Sequence, residues 1–184
     1  MLPVVPLSSK LSGIVQTGDW LFIRGDGILS NLIRKFTFSR INHCALIYDN
    51  QYLFETDLDY HHSQFTPITE YEDHKVILVR PLFCGATGQD AVQRLCWKYK
   101  GYPYSIWDVI SNGALFWLKD EIRIKALKLL STKRFMKCDE QMVRVTYEAT
   151  ENKLVRDFEG GTPDYWLDVA LQHPAEFKFI YSDF

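Results

Sequence analysis

Strand-like segments fill the first half of this chain and helix-like segments the second, and that segregation limits its fold more than any other feature. DWLFIR, from Asp19, is a short apolar run behind a Thr-Gly turn. HCALIY (His43 to Tyr48) and YLFET (Tyr52 to Thr56) flank Asp49-Asn50-Gln51 and predict a hairpin. KVILVR (Lys75 to Arg80) is rich in β-branched residues and closes at Pro81, as a strand does. Beyond it, Thr87 is placed to cap a helix whose Val92, Leu95, Cys96 and Tyr99 form one apolar face ending at Gly101. Helical patterns follow from Ser105 to Leu118, from about Asp120 to Leu130, and from Cys138 to about Glu151. Thr162-Pro163-Asp164 is a helix start, with a capping Thr and Pro at the first helical position, and that helix stops before Pro174. FKFIY predicts a terminal strand. Strands in one block and helices in another predict α+β with an antiparallel sheet, not alternating βαβ units.

The 184 residues fit one domain, 1–184, with a helical insert around 105–135. Charged residues are 24% of the chain and the formal charge is -2, without the basic excess of a nucleic-acid binder, so no nucleic-acid partner is expected. Aromatics reach 15%, enough for a bulky core or an aromatic-lined cleft. The longest apolar stretches are cut by Asp108, Asn112 and Lys119, too soon to span a bilayer. The opening MLPVVPLSSK lacks the charged, then apolar, then small-residue order of a secretion signal, which makes the cytoplasm the expected compartment. The cysteines, Cys44, Cys84, Cys96 and Cys138, form no CxxC pair and no zinc-spaced cluster with histidine. Neither a disulfide framework nor a cofactor is expected, and the question becomes which thiol is reactive.

In CDEQMVRVTYEAT, Met142, Val145 and Ala149 share a helical face with Cys138, while Glu140, Arg144, Glu148 and Glu151 fall on the opposite one. Cys138 thus opens an amphipathic helix on its buried face, where the positive end of the helix dipole favours a thiolate. The charges of Asp139 and Glu140 work partly against that. By pattern alone a buried structural cysteine is the commoner outcome. In strand geometry His43, Ala45 and Ile47 point one way and Cys44, Leu46 and Tyr48 the other. Glu55 joins the His43 face if the loop has three residues, which pairs 48 with 52 and 45 with 55; a two-residue loop would put it on the wrong side. In that register Ala45, Ile47 and Leu53 form an apolar floor, with His43 and Glu55 at its open end, where a carboxylate can orient an imidazole. Against this stand a structural histidine and a solvated rim glutamate.

The run TGDWLFIRGDGILSNLIRKFTFSRINHCALIYDN resembles the opening of circularly permuted papain-like hydrolases of the NlpC superfamily, the YiiX-like group. Gly18-Asp19, Ser30 and Asn42-His43 carry the resemblance, with Asn where the group has Ser before the histidine. Cys138-Asp139-Glu140-Gln141-Met142-Val143 is similar to the group's Cys-Ser-Glu-Leu-Val helix start, apart from the small Ser, and the later TPDYW is similar to its Thr-Pro segment. The resemblance implies a permuted papain-like fold, a small antiparallel sheet packed against the helix that bears the nucleophile. It implies Cys138 as nucleophile, His43 as base and Glu55 as third polar residue. The implied activity is that of a cysteine hydrolase, a peptidase or amidase, acting on a peptide amide or related acyl bond. Lecithin retinol acyltransferase is a relative, which opens acyl lipids as substrates and a lipid acyltransferase or phospholipase as an alternative. A decayed binding module is a third reading.

Tyr104, after Lys100-Gly101-Tyr102-Pro103, is a candidate for lining the cleft or donating to an oxyanion, beside the plainer reading of a packed loop aromatic. Arg123, Lys125, Lys128, Lys133, Arg134 and Lys137 make the 123–137 segment a candidate membrane contact, or else a helical hairpin with a solvated basic face. His61-His62 with Asp57 and Asp59 hints at a metal, but an exposed loop is the simpler reading and no metal is expected. Gly25-Asp26-Gly27 lacks the context of a phosphate loop.

Overall fold

The computed structural model describes residues 10–11, 13–25, 39–57, 60–82, 86–104, 136–151 and 161–184. Among them lies an α+β arrangement. Six strands form one antiparallel sheet: β1 (Trp20–Arg24), β2 (His43–Ile47), β3 (Tyr52–Asp57), β4 (His62–Pro67), β5 (Lys75–Pro81) and β6 (Phe177–Ser182), in the order β4-β3-β2-β1-β5-β6. Three helices accompany it: α1 (Ala86–Tyr99), α2 (Cys138–Ala149) and α3 (Pro163–Gln172). In the first half of the sheet, strands consecutive in the chain lie next to one another, as is usual.

The β2–β3 hairpin has the three-residue loop. Leu46 pairs with Phe54 and Ile47 with Leu53, and the Asp49 carboxylate accepts from the Gln51 and Tyr52 amides at 2.8 and 2.7 Å, which closes the turn. That register puts Glu55 on the face of His43. β4, by contrast, lies where a loop was expected. His62 to Pro67 pair with Asp57 to Tyr52, although their sequence, HSQFTP, alternates too weakly to announce a strand. A short 3-10 turn, Ile68–Tyr71, follows directly.

The sheet has a core on each face. Trp20, Phe22, Cys44, Leu46 and Phe54 pack with Cys138, Met142, Val143 and Val145 of α2, while Leu21, Ile23, Ala45, Ile47 and Leu53 pack with Leu11 and Ile68 on the other side. The α2 helix therefore covers the face opposite the expected Ala45–Ile47–Leu53 floor. The larger side chains, Trp20, Phe22 and Phe54, alternate onto that side and offer α2 more apolar area, each side chain contributing about 1.5–3 kcal/mol when buried. The Trp20 indole N–H donates to Thr146 Oγ1 at 2.9 Å and sets the helix along the sheet.

Two local expectations are corrected. The α1 helix begins at Ala86, so Thr87 lies inside its first turn and does not cap it. The first turn of α2 is buried all round, with Glu140 inside rather than on a solvated face, held by Arg144 at 2.6 Å. The α3 start is as expected: Thr162 Oγ1 accepts from the Tyr165 amide at 3.2 Å and Pro163 takes the first helical position. The 105–135 insert and most of the basic 123–137 segment lie outside the described residues. Among the described residues no helix is long and apolar enough to cross a membrane.

Candidate functional site

His43 is the first residue of β2, so its ring stands at the end of the sheet, where both faces are within reach. Extending the hairpin register puts Asp57 directly opposite His43 and Glu55 diagonal to it. Diagonal neighbours lie about 7–8 Å apart at Cα, a gap that a His and a Glu side chain close together. His43 Nε2 meets Glu55 Oε2 at 2.7 Å. The Tyr71 hydroxyl, delivered by the 3-10 turn, donates to the same oxygen at 2.6 Å, and its ring stacks near the imidazole at 6.1 Å. Glu55 is 0% exposed, which rules out a solvated rim residue. With Nε2 engaged by the carboxylate, Nδ1 is the ring atom that faces away from it.

The thiol is the other hydrogen-bond partner of that imidazole. Cys138 opens α2 as expected and is buried among the helix-side core. The neighbouring Cys44 thiol also bonds to it. Sequence reasoning had set Cys44 aside because alternation turns it away from His43; that alternation is what points Cys44 at the helix. The hydrogen bond from Cys44, working against burial, and then the bond to and charge of His43, hold the Cys138 thiol well below its usual range. Burial opposes charge on His43, yet its bonds to Cys138 and Glu55 raise its pKa well above the ordinary value. Burial, and then contact with Cys138, keeps Cys44 protonated. Both shifts favour a thiolate–imidazolium pair, and a carboxylate and a phenol stand behind it.

Two more groups face the thiol. Tyr104 is tied down by its amide to the His61 carbonyl at 2.9 Å; burial, and then the charges on Cys138 and Asp139, push its phenol up, so it stays a donor. Asp139 is buried beside Lys137, whose ammonium lies 3.6 Å away and donates to the Gly161 carbonyl at 3.1 Å. Behind them the Thr56 hydroxyl donates to Gln141 Oε1 at 2.5 Å and shares a 2.7 Å hydrogen bond with Ser63, which ties α2 to β3 and β4.

His43, Glu55 and Asp57 present ligand atoms that all lie within 4.8 Å of one another. Asp57 was part of the metal hint in the sequence; it pairs with His62 across β3 and β4, but the histidine whose ring joins it within ligand distance is His43, and Asp59 lies outside the described residues. Glu55 Oε1 is buried with no hydrogen-bond partner, so the donor set fits a cation. Tyr71 and Cys44 are the members that sequence reading missed. Tyr71 sits in TPITEYEDH, which has no periodicity to mark it. Cys44, Cys96 and Cys138 are free thiols, and Cys84 lies outside the described residues.

No family model matches the chain, and no curated protein matches it. Among solved structures the fold is similar to the crystal structure of the metalloprotein YiiX from Escherichia coli O157:H7, with a TM-score of 0.55 over 92% of this chain and 90% of that chain, at 19% identity. A likeness at that identity concerns the fold alone: this chain has a YiiX-like α+β fold.

Proposed function

We propose that the chain is a permuted papain-like cysteine hydrolase, a peptidase or amidase. The observation that carries this reading is the buried relay Cys138–His43–Glu55–Tyr71, in which each group has the partner its role requires. His43 holds the proton that Cys138 gives up, Glu55 fixes the ring so that Nδ1 faces the thiol, and Tyr71 keeps the carboxylate in place. The thiolate adds to a carbonyl carbon. In this reading the backbone N–H at the start of α2 and the Tyr104 phenol serve as the donors to the developing oxyanion. As the tetrahedral adduct collapses, imidazolium Nδ1–H protonates the leaving amine and a thioester remains on Cys138. His43 then takes a proton from water, which clears the acyl group. Hydrolysis of a peptide amide and transfer of a lipid acyl group share these steps; a liposome-binding assay separates the two substrate classes.

The fold relative YiiX is a metalloprotein. In this chain His43, Glu55 and Asp57 would hold such an ion, whose positive charge would then take the place of the proton shared between His43 and Glu55.

The test is iodoacetamide alkylation followed by mass spectrometry. Cys138 is modified much faster than Cys44, Cys84 or Cys96, and His43→Ala removes that advantage. Equal slow labelling of all the thiols would sink the reading.

A further inference from the structure

On the sheet face turned away from α2, three side chains converge that the thiol chemistry uses only in part. Extending the β2–β3 register sets Asp57 opposite His43, with Glu55 two residues along on the same face. Their ligand atoms lie within 4.8 Å of one another. Tyr71 anchors Glu55 Oε2, while Oε1 of the same fully buried carboxylate has no hydrogen-bond partner. A buried carboxylate oxygen without a donor is costly, and in this cluster the group that answers it is a cation.

We propose that His43, Glu55 and Asp57 form a site for a divalent transition-metal ion, with nitrogen and oxygen ligands only and Cys138 outside the ligand set. One imidazole and two carboxylates balance the charge of a divalent ion, and the imidazole selects zinc, cobalt or nickel over magnesium or calcium. At metal–ligand bonds of about 2.1 Å, tetrahedral donors stand about 3.4 Å apart, a contraction that side-chain rotation supplies. Three protein ligands leave one position for water. Tyr71 remains as the outer donor that orients the Glu55 carboxylate, the support that metal carboxylates usually carry.

The site shares His43 with the relay, and the two uses exclude each other. An ion on Nε2 requires that nitrogen's lone pair, so the hydrogen bond to Glu55 Oε2 is broken and a neutral ring carries its proton on Nδ1. Nδ1 then cannot accept the Cys138 proton. The metal-bound protein is therefore a resting form of the thiol enzyme.

Isothermal titration of the full chain with zinc chloride, after chelator treatment, reads the site directly. Wild type and Cys138→Ala each bind one equivalent, and the variant, freed of the competing thiol, binds at least as tightly. Asp57→Asn and Glu55→Gln, each checked for native circular dichroism, bind at least about tenfold more weakly, the low end of what even the loss of an outer partner costs. Cobalt gives visible ligand-field bands without a thiolate charge-transfer band. The proposal fails if wild type shows no saturable binding, if both carboxamide variants bind as wild type does, or if a thiolate band appears and vanishes in Cys138→Ala. It also fails if binding is lost in His61→Ala/His62→Ala but kept in Asp57→Asn. Should the carboxamide variants not fold, the wild-type stoichiometry and cobalt spectrum still decide. Metal-free alkylation of Cys138 tests the hydrolase reading separately, and binding in Cys138→Ala does not depend on it.

Discussion

Replacing Asp139 with Asn should stabilise the protein at neutral pH and leave it unchanged in acid. Asp139 is only 2% exposed and its Oδ2 lacks a hydrogen-bond partner, with the Lys137 ammonium at 3.6 Å. Burial, opposed by Lys137 and reinforced by the Cys138 charge, raises its carboxyl from 3.8 to about 6. The native state therefore binds this proton more tightly than the unfolded chain does. Below about pH 4 both states hold it and there is no penalty. As pH rises from 3.8 to about 6 the unfolded chain releases its proton first and stability falls. Above about pH 6 the whole cost is present. The difference of roughly 2 units, at 1.36 kcal/mol per unit, amounts to about 3 kcal/mol. Asn cannot titrate, so Asp139→Asn exceeds wild type by up to about 3 kcal/mol at pH 7, apart from a constant offset for the changed bonding. Urea unfolding followed by tryptophan fluorescence across about pH 3.5 to 7.5 measures both curves. A gap that does not vary with pH, or a wild type that gains on the variant as pH rises, refutes the reasoning. Removing a charge beside the thiolate should also lower the Cys138 pKa further. The wild type keeps that charge at a cost in stability, as functional sites often do.

Three other outcomes are expected. With Cys138 held well below its ordinary 9.0, its alkylation rate reaches its plateau at a lower pH than that of an ordinary thiol; a tenfold gain per pH unit sustained up to pH 9 would contradict this. Tyr71→Phe takes the 2.6 Å donor from a buried carboxylate and should cost about 1–3 kcal/mol in urea unfolding, with a shifted pH profile of Cys138 alkylation; an unchanged midpoint and profile would remove Tyr71 from the relay. Arg80→Met strips the partner from Asp19, whose carboxylate receives two 2.8 Å bonds from the guanidinium, and should cost about 3 kcal/mol because a buried charge is orphaned; a loss under about 1 kcal/mol would show that water replaces the arginine.

Legibility in the sequence followed the range of the interactions. In the β2–β3 hairpin the sequence narrowed the register to a choice between two loop lengths, because side-chain parity is local, and the three-residue loop then placed Glu55 beside His43. The start of α3 was readable because Thr162 and Pro163 are local signals. Strand β4 was not, since HSQFTP owes its extended form to pairing with β3 rather than to its own pattern. Tyr71 escaped for the same reason: its role depends on a turn that returns to Glu55 across 16 positions.

What the sequence determines by itself is the α+β segregation, Cys138 at a helix start, and the parity rule by which a three-residue loop unites His43 with Glu55. These rest on periods of two and 3.6 residues, which any short segment displays. Only the tertiary structure decides which face of the sheet α2 covers, since both faces of the central strands are apolar and either would serve. That choice turns Cys44, not Ala45, towards Cys138. It leaves His43 at the strand end, where it meets the thiol on one side of the sheet and the carboxylates on the other. Periodicity assigns a residue to a face, but the competition between two apolar faces for one helix is settled by the summed packing of side chains far apart in the chain.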